Sequence, residues 1–184
     1  MSFIDPRERE RAHQPTTFVN FYEEAVKASQ EFRKEYDSRM NVVKWKDMPF
    51  ERSPDGLIKH VINERMNTKE MCLDIYMQFL PPGKASGTHR HLSEEVFYVV
   101  EGSGYDLHWD VKFDCQDTME FEWETTPKKY EWKTGDFVYI PPYCAHKHFN
   151  ADPANEARII VITSRIIKAM GFDWFEQLEN AEGY

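Results

Sequence analysis

Two histidines and a glutamate in the middle of the chain are the residues best suited to chemistry in this sequence. His89 and His91 stand two residues apart, and Glu95 follows four residues later, at the start of an apolar run. Side chains at positions i and i+2 of an extended strand point to the same face, so both imidazoles can face one point. Two imidazoles and a carboxylate from neighbouring strands form a good ligand set for a divalent transition metal. The segment therefore predicts a metal site.

A second pair of histidines follows later in the chain. His146 and His148 are again two residues apart, after a short predicted strand, Gly135 to Ile140, that Pro141 and Pro142 close. If the strand that contains this pair is continuous, the two side chains share a face.

Composition and charge limit the classes of function. The chain has 184 residues, 41% hydrophobic and 30% charged, as expected for one soluble globular domain with a sizeable core. Its net charge is −9 and no Lys/Arg cluster stands out, so nucleic acids and anionic membranes would be repelled. Its apolar runs are all shorter than a membrane span. We therefore expect a small-molecule substrate as the partner, and neither a nucleic acid nor a membrane.

The N-terminal segment and the cysteines predict a cytoplasmic location. Residues 1–14 are charged and lack the apolar core of a signal peptide. The three cysteines, Cys72, Cys115 and Cys144, are far apart and odd in number, so they indicate neither a disulfide framework nor a thiolate zinc site. Reduced thiols in a cytoplasmic protein are the simplest interpretation.

Periodicity predicts the elements that must position the histidines. Residues 1–40 contain a polar lead-in and then an amphipathic helix from Thr17 to about Met40, with Thr16 or Thr17 as the N-cap. We expect this helix to pack on the outside of the barrel, with a lid or a dimer contact as alternatives. Short strands punctuated by Gly and Pro fill residues 41–165, and residues 166–184 form a tail. This order predicts an all-β sandwich or barrel.

The alternation of apolar and polar residues along two predicted strands indicates which side chains could face the site. From Met71 to Leu80, apolar positions alternate with mixed ones, and the sequence leaves open which face lines the site. One face would make the pocket apolar, with Met77 and Phe79. The other would make it polar, with Asp74, Tyr76 and Gln78. In the strand predicted from Tyr105 to Phe113, the apolar face should turn inward, which would place His108 at the surface.

Two groups of residues have regular spacings: Gly83, His89, His91, Glu95 and Gly102, and then Gly135, Pro141, His146 and Asn150. In order and separation, these nine positions resemble the two signature motifs of the cupin superfamily, and the resemblance covers about Met71 to Ser164. One position departs from the pattern, because Tyr143 stands two residues after Pro141, where the second motif usually has a glycine. Since that glycine serves a tight turn, we expect a differently shaped turn and a Tyr143 side chain that overhangs the metal.

The resemblance implies a double-stranded β-helix, a jelly-roll barrel of the cupin type, with the N-terminal amphipathic helix outside it. It also implies one divalent transition metal per chain, held by His89, His91, Glu95 and His146. Imidazole and carboxylate suit Fe(II), which we favour, as well as Mn, Ni, Zn and Cu. Four protein ligands leave one or two coordination positions open, which a catalytic metal needs.

The candidate pocket and the candidate catalytic residue follow from the same pattern. Phe97 and Val99 share the parity of Glu95 and so face the site. His148 shares the parity of His146, and it is the candidate catalytic residue. It would either donate a hydrogen bond to a metal ligand or act as an acid–base group toward a bound substrate. The alternative is a histidine that packs above the site without a role. The candidate substrate pocket comprises Phe97, Val99, Tyr143, Met77 and Gln78.

A metal centre of this kind predicts the substrate class. Three neutral imidazoles, one carboxylate and a divalent cation carry about one positive charge, which attracts an anionic oxygen donor. We therefore predict a mononuclear non-haem metal-dependent oxidoreductase of dioxygenase type, acting on a small anionic, aromatic or enolisable substrate. A metal-dependent lyase or isomerase and a non-catalytic small-ligand-binding cupin are the alternatives. The outward apolar strand face (Val96, Tyr98 and Val100) predicts a homo-oligomer, with a dimer as the expected state.

Overall fold

The computed structural model describes residues 19–115 and 119–184 of the chain. Two compact units are present: one ends at Arg39, and the other runs from Met40 to Tyr184. The first unit contains helix α1 (Phe21–Tyr36), and the second contains a 3-10 turn (Trp45–Asp47), a short helix α2 (Ile166–Ala169) and the strands. The strands are β1 (Phe50–Ser53), β2 (Gly56–Ile62), β3 (Leu73–Leu80), β4 (Thr88–His91), β5 (Glu95–Glu101), β6 (Ser103–Trp109), β7 (Val111–Cys115), β8 (Met119–Trp123), β9 (Lys128–Lys133), β10 (Phe137–Ile140), β11 (Ala145–Asn150), β12 (Ala157–Ser164) and β13 (Phe175–Glu179).

Helix α1 is shorter than the predicted segment and begins after Asn20, which occupies the N-cap position. The predicted N-caps, Thr16 and Thr17, lie outside the described residues. Acidic side chains in the first turn and basic ones in the last turn complement the helix dipole. No residue of the helix is buried. Its packing on the barrel stays a prediction.

Two antiparallel sheets contain most strands of the second unit. One has the spatial order β1-β2-β3-β12-β5-β10, the other β13-β4-β11-β6-β9, and β7 and β8 form a separate hairpin. Strands that are distant in sequence are neighbours in space, as when β12 lies between β3 and β5. Such crossovers are typical of a jelly roll. The predicted all-β jelly-roll fold is confirmed.

The register of the first sheet places inward-facing residues of neighbouring strands directly opposite one another, so that they form rows across the sheet. Residues directly opposite each other on neighbouring strands share a face, and residues two apart on one strand share it too. The row that contains Glu95 therefore has two further rows behind it on the same face. These rows, each taken across β3, β12 and β5, are Asp74–Thr163–Glu95, Tyr76–Val161–Phe97 and Gln78–Ile159–Val99.

The second sheet has a matching arrangement of polar rows. His146 on β11 lies opposite His89 on β4 on one side and opposite His108 on β6 on the other. His148, two residues further along β11, lies opposite Asp106. The apolar core fills the space behind these rows and consists of Leu80, Phe97, Val99, Trp132, Ile140, Cys144, Ala157, Ile159 and Val161.

The segment predicted as a C-terminal tail takes part in the second sheet. Strand β13 pairs with β4, so that Phe175 lies opposite His91 and Gln177 opposite His89. The barrel unit thus extends past the predicted boundary at residue 165. Among the described residues, no helix is both long enough and apolar enough to cross a bilayer.

Candidate metal centre

The four sequence-predicted ligands lie together between the two sheets. One ligand atom from each of His89, His91, Glu95 and His146 lies within 4.8 Å of the other three. His89, Glu95 and His146 are buried, and the His91 side chain is 11% exposed. Cross-strand pairing sets His89 against His146, with ring centroids 4.3 Å apart. Glu95 approaches from the other sheet, at the first position of β5.

Backbone hydrogen bonds orient two of the imidazoles. His146 Nδ1 lies 3.0 Å from the carbonyl oxygen of Cys144, and His91 Nδ1 lies 2.7 Å from that of Ser93. Because a carbonyl oxygen only accepts hydrogen bonds, each Nδ1 carries the proton and donates it. On His146 this leaves the Nε2 lone pair free for a metal, which is the usual arrangement of a metal-bound histidine. His91 Nε2 lies 3.2 Å from Glu95 Oε2 and would exchange this contact for the ion.

Buried polar atoms without partners indicate that the site fits a cation. Within the described residues, His146 Nε2 and Glu95 Oε1 have no hydrogen-bond partner, although they lie 3.6 Å apart. Buried polar atoms in folded proteins are nearly always hydrogen-bonded. A donor set of three imidazole nitrogens and one carboxylate matches the preference of divalent transition metals. These four residues would therefore hold the predicted ion.

The local electrostatics favour the metal-binding protonation states of His146 and Glu95, and the protonated form of His91. Burial, reinforced by His89 and His148, lowers the pKa of His146 well below its usual value, so this imidazole is neutral. Burial by itself would raise the pKa of Glu95, but the hydrogen bond and charge of His91 outweigh it and lower the pKa. Burial likewise lowers the pKa of His91, but Glu95 raises it overall. Since ligands bind metals deprotonated, His91 would release a proton when the ion binds.

His148 lies behind Glu95, away from the cavity wall. Its imidazole is fully buried, its Nδ1 is 2.9 Å from Asp106 Oδ2, and its Nε2 is 3.7 Å from Glu95 Oε1. Burial lowers the pKa of His148, but the Asp106 carboxylate outweighs this and raises the pKa to about 9. Trp132 Nε1 donates a hydrogen bond of 2.8 Å to Asp106 Oδ1 and fixes this carboxylate.

A cavity of about 690 Å³ opens onto the cluster and is lined in part by His89, His91 and Glu95. The C-terminal segment forms one wall, where the Phe175 ring lies 5.5 Å from the His89 ring and 6.3 Å from the His91 ring. Sequence reasoning missed this wall because the segment was assigned to a tail. Further polar lining comes from His60, Arg65, Asp74, Tyr76, Thr163 and Arg165, and apolar lining from Ile58, Ile62, Leu92, Phe172 and Trp174.

The structure places the predicted pocket residues away from this cavity. Phe97 and Val99 face inward with Glu95, but they lie one and two rows deeper and are fully buried in the core. Met77 is one residue out of phase with the inward positions of β3 and lies opposite Ile160, on the other face of the sheet. Gln78 faces inward but is fully buried. The polar face of β3 therefore lines the cavity, through Asp74 and Tyr76.

Tyr143 lies in an aromatic cluster and does not overhang the metal ligands. Its φ of 62° is in the left-handed region, so the turn keeps the conformation that a glycine would adopt, contrary to our expectation of a different shape. Its backbone N–H donates to the His91 carbonyl oxygen at 2.8 Å. The ring packs 5.4 Å from Phe121, 5.2 Å from Trp123 and 5.9 Å from Trp174.

His108 is buried, and its predicted surface position is wrong. It shares the inward face of β6 with Asp106, and only 2% of its surface is exposed. The prediction assumed that the apolar face of the strand turns inward. Here the interior beside the ligands is polar, because His146 and His148 on the neighbouring strand provide partners for polar side chains.

A second group of possible ligands consists of His108, Asp110 and Cys144. It differs from the first group because protein side chains already occupy the oxygens of its carboxylate. Each places one ligand atom within 4.8 Å of the others. Asp110 Oδ2, however, receives a 2.7 Å hydrogen bond from Lys128 Nζ, and its Oδ1 lies 3.6 Å from Cys144 Sγ. Burial, together with Asp110, raises the pKa of the Cys144 thiol far above its usual value. We therefore assign no metal to this group.

Comparisons with known proteins agree with this architecture. A family model described as "Auxin binding protein" matches residues 39–181. An uncharacterised protein of Methanocaldococcus jannaschii is 35% identical over 69 residues, which are 37% of this chain and 42% of that protein. The chain thus spans less than half the length of this relative.

Solved structures of two enzymes share the fold. Oxalate decarboxylase of Bacillus subtilis aligns with a TM-score of 0.54 and 17% identity, over 77% of this chain and 34% of that one. Salicylate 1,2-dioxygenase of Pseudoaminobacter salicylatoxidans, solved in complex with gentisate, aligns with a TM-score of 0.51 and 14% identity, over 89% and 36%. At these identities the likeness concerns the fold alone, and the chain spans about a third of either protein.

Proposed function

This chain belongs to the auxin binding protein family, within the cupin superfamily, and we propose that it is a mononuclear metal-dependent oxidoreductase of dioxygenase type. Its substrate would be a small anionic molecule, aromatic or enolisable. Membership of the cupin superfamily, predicted from the two sequence motifs, is confirmed. Because the solved neighbours share only the fold, the reaction is argued from the site itself.

The observation that supports this proposal most strongly is the position of the ligand cluster at a cavity wall. His89, His91 and Glu95 line the cavity, while His146 is fully buried behind them. A metal held by these four residues would direct its remaining coordination positions toward the cavity. Open positions that face a cavity are characteristic of catalytic metals rather than structural ones.

An anionic substrate would be attracted chiefly by the metal centre rather than by the charged side chains around the cavity. Arg165, whose side chain is 13% exposed in the cavity wall, already pairs with Glu70 at 2.5 Å, Glu64 at 2.9 Å and Asp74 at 3.2 Å. It is therefore neutralised locally. Imidazoles that coordinate an ion are neutral, so the loaded centre would keep a net positive charge and be the strongest attraction for a carboxylate or a phenolate in the cavity. Arg65, which lines the cavity and has no ion pair with any described residue, would add a second anchor.

Tyr76 would act as a hydrogen-bond donor to the substrate. Its ring lines the cavity in the row next to Glu95. Burial, reinforced by the negative charges of Glu95 and Asp55, raises the pKa of its hydroxyl well above the usual value. The hydroxyl is therefore protonated at neutral pH and can donate a hydrogen bond, or a proton, to an oxygen of a bound anion.

A bound Fe(II) or Mn(II) would supply Lewis acidity and electron-transfer chemistry with O2. The residues of this chain would do the remainder. His89, His91, Glu95 and His146 hold the ion, Tyr76 orients the substrate, and the apolar wall excludes water. Exclusion of water strengthens each electrostatic contact in the cavity.

Oxygen consumption by metal-loaded protein tests this proposal. The chain is freed of metal, reloaded separately with Fe(II), Mn(II), Ni(II) or Zn(II), and mixed with catechols, hydroxybenzoates and diketones. We expect saturable O2 uptake with at least one redox-active metal, and none with the His146→Ala variant. Product formation without O2 uptake would contradict the proposal and favour the lyase or isomerase alternative.

A second candidate, a non-catalytic ligand-binding cupin, is favoured by the description of the matching family, which names binding rather than a reaction. The same cavity would then take an auxin-like aromatic carboxylate, with its carboxylate at the metal. Metal-dependent binding measured by calorimetry, without turnover under any metal, would support this candidate and overturn the oxidoreductase proposal.

A further inference from the structure

Asp55, in the turn between β1 and β2, reaches into the barrel beside a metal ligand. Its Oδ1 lies 3.2 Å from His89 Nδ1, and its side chain is 13% exposed. Both atoms are buried, and neither has an aligned hydrogen-bond partner among the described residues. A buried carboxylate oxygen facing a buried imidazole nitrogen at this distance needs only a small rotation to accept a hydrogen bond.

Gln78 fixes Asp55 in this position. Its Nε2 donates to Asp55 Oδ2 at 2.7 Å and to the Asp55 carbonyl oxygen at 2.8 Å. Gln78 is fully buried, so this amide has no alternative partner in solvent. One oxygen of Asp55 is thereby held by Gln78, and the other is directed at His89.

The turn that carries Asp55 is held closely against β4. The Pro54 carbonyl oxygen accepts a 2.7 Å hydrogen bond from the Ala181 backbone N–H. Gly87, two residues before His89, permits this approach, because a Cβ at that position would lie 2.7 Å from the Pro54 oxygen. The turn therefore lies close to the segment that precedes His89, and one backbone hydrogen bond holds it there.

We propose that Asp55, clamped by Gln78, is a positioning residue that orients His89 for metal binding. A hydrogen bond from His89 Nδ1 to the carboxylate fixes the tautomer, so that Nε2 presents its lone pair to the ion. The negative charge of Asp55 also makes the imidazole a stronger ligand. His91 and His146 use backbone carbonyls for the same purpose, so Asp55 supplies the one charged partner in the set.

This inference rests on the metal site and not on the type of reaction. Metal affinity and the spectrum of the bound ion test it without any turnover. Asp55→Ala removes the acceptor, and Asp55→Asn keeps an oxygen acceptor but removes the charge. Glu51→Gln is the matched control, because Glu51 contacts His60 Nε2 at 2.5 Å and this histidine is not a ligand.

Titration of chelator-treated protein with Mn(II) and Zn(II) gives the dissociation constants, and electron paramagnetic resonance of the Mn(II) form reports the ligand field. Asp55→Ala should raise Kd about 10–100-fold and change the Mn(II) spectrum, since partners of ligating histidines have effects of this size. Asp55→Asn should lie between Asp55→Ala and wild type. Glu51→Gln should leave both readouts at the wild-type values.

A Kd and a spectrum unchanged in Asp55→Ala would overturn the proposal, as would a loss no larger than that of Glu51→Gln. Gln78→Met, which removes the clamp at similar volume, gives an independent test if Asp55→Ala does not fold, and it should raise Kd several-fold. If the four residues did not form a metal site at all, the result would be different, because the wild-type chain would also bind no ion.

Discussion

The two His-x-His pairs have the same spacing but different functions in the structure. His89 and His91 both contribute a ligand atom to the cluster. In the second pair only His146 does, while His148 lies between the carboxylates of Asp106 and Glu95. The two histidines of each pair share a face, so spacing alone does not separate these outcomes.

Depth and cross-strand neighbours explain the difference. Strand β4 runs from buried His89 to the more exposed His91 at the cavity, whereas β11 runs from His146 to a fully buried His148. Asp106 lies directly opposite His148 and occupies its Nδ1. A shared face therefore decides which side chains can meet, and the residue opposite in register decides what each one does.

Single alanine substitutions test this contrast, and here we expect the largest effect. His91→Ala and His146→Ala each remove a ligand, so metal affinity should fall by more than about 100-fold, beyond the usual cost of losing an outer partner. His148→Ala should retain one ion per chain. The checks are metal content after dialysis and calorimetric titration. If His148→Ala lost the ion as completely as His146→Ala, the two pairs would not differ as described.

A smaller effect is expected in the pH dependence of stability. The pKa of His148 is about 9 in the folded chain and about 6.5 in an unfolded one. A raised folded pKa contributes stability that is complete below about pH 6.5 and is lost as the pH rises through about 9. Metal-free wild type should therefore lose on the order of 1–3 kcal/mol of unfolding free energy over this window.

His148→Asn is the reference for that measurement, since it removes the titrating group while an amide can still contact Asp106. Urea unfolding at a series of pH values gives the free energies. The difference between wild type and variant should shrink as the pH rises. If the unfolding free energies of wild type and variant instead stayed parallel across the window, the His148–Asp106 pair would make no pH-dependent contribution to stability.

Alternation along single strands predicted an all-β sandwich or barrel and the inward direction of Glu95, Phe97 and Val99. The resemblance of the two motifs to the cupin superfamily implied the jelly roll and the four ligands. The depth of a residue on its face does not, because it depends on register with strands far away in sequence. Phe97 and Val99 accordingly face the right way but belong to the core.

The same limit accounts for the residues that local patterns missed. Asp106 faces inward with hydrogen bonds from His148 and Trp132 on other strands, and His108 shares this face and contacts Asp106. Asp55 belongs to a Ser-Pro-Asp-Gly segment whose local signal indicates only a turn. Its contact with His89 joins residues that are distant in the chain, and no single-strand pattern carries that information.

The proposed function depends on one divalent ion held by His89, His91, Glu95 and His146. Anomalous diffraction from crystals of protein purified without added metal, recorded at the absorption edge of the metal found in the sample, would locate this ion. We expect one anomalous peak per chain, within about 2.0–2.3 Å of one atom from each of the four side chains. A peak centred on His108, Asp110 and Cys144, or no peak between the four residues in metal-loaded crystals, would contradict it.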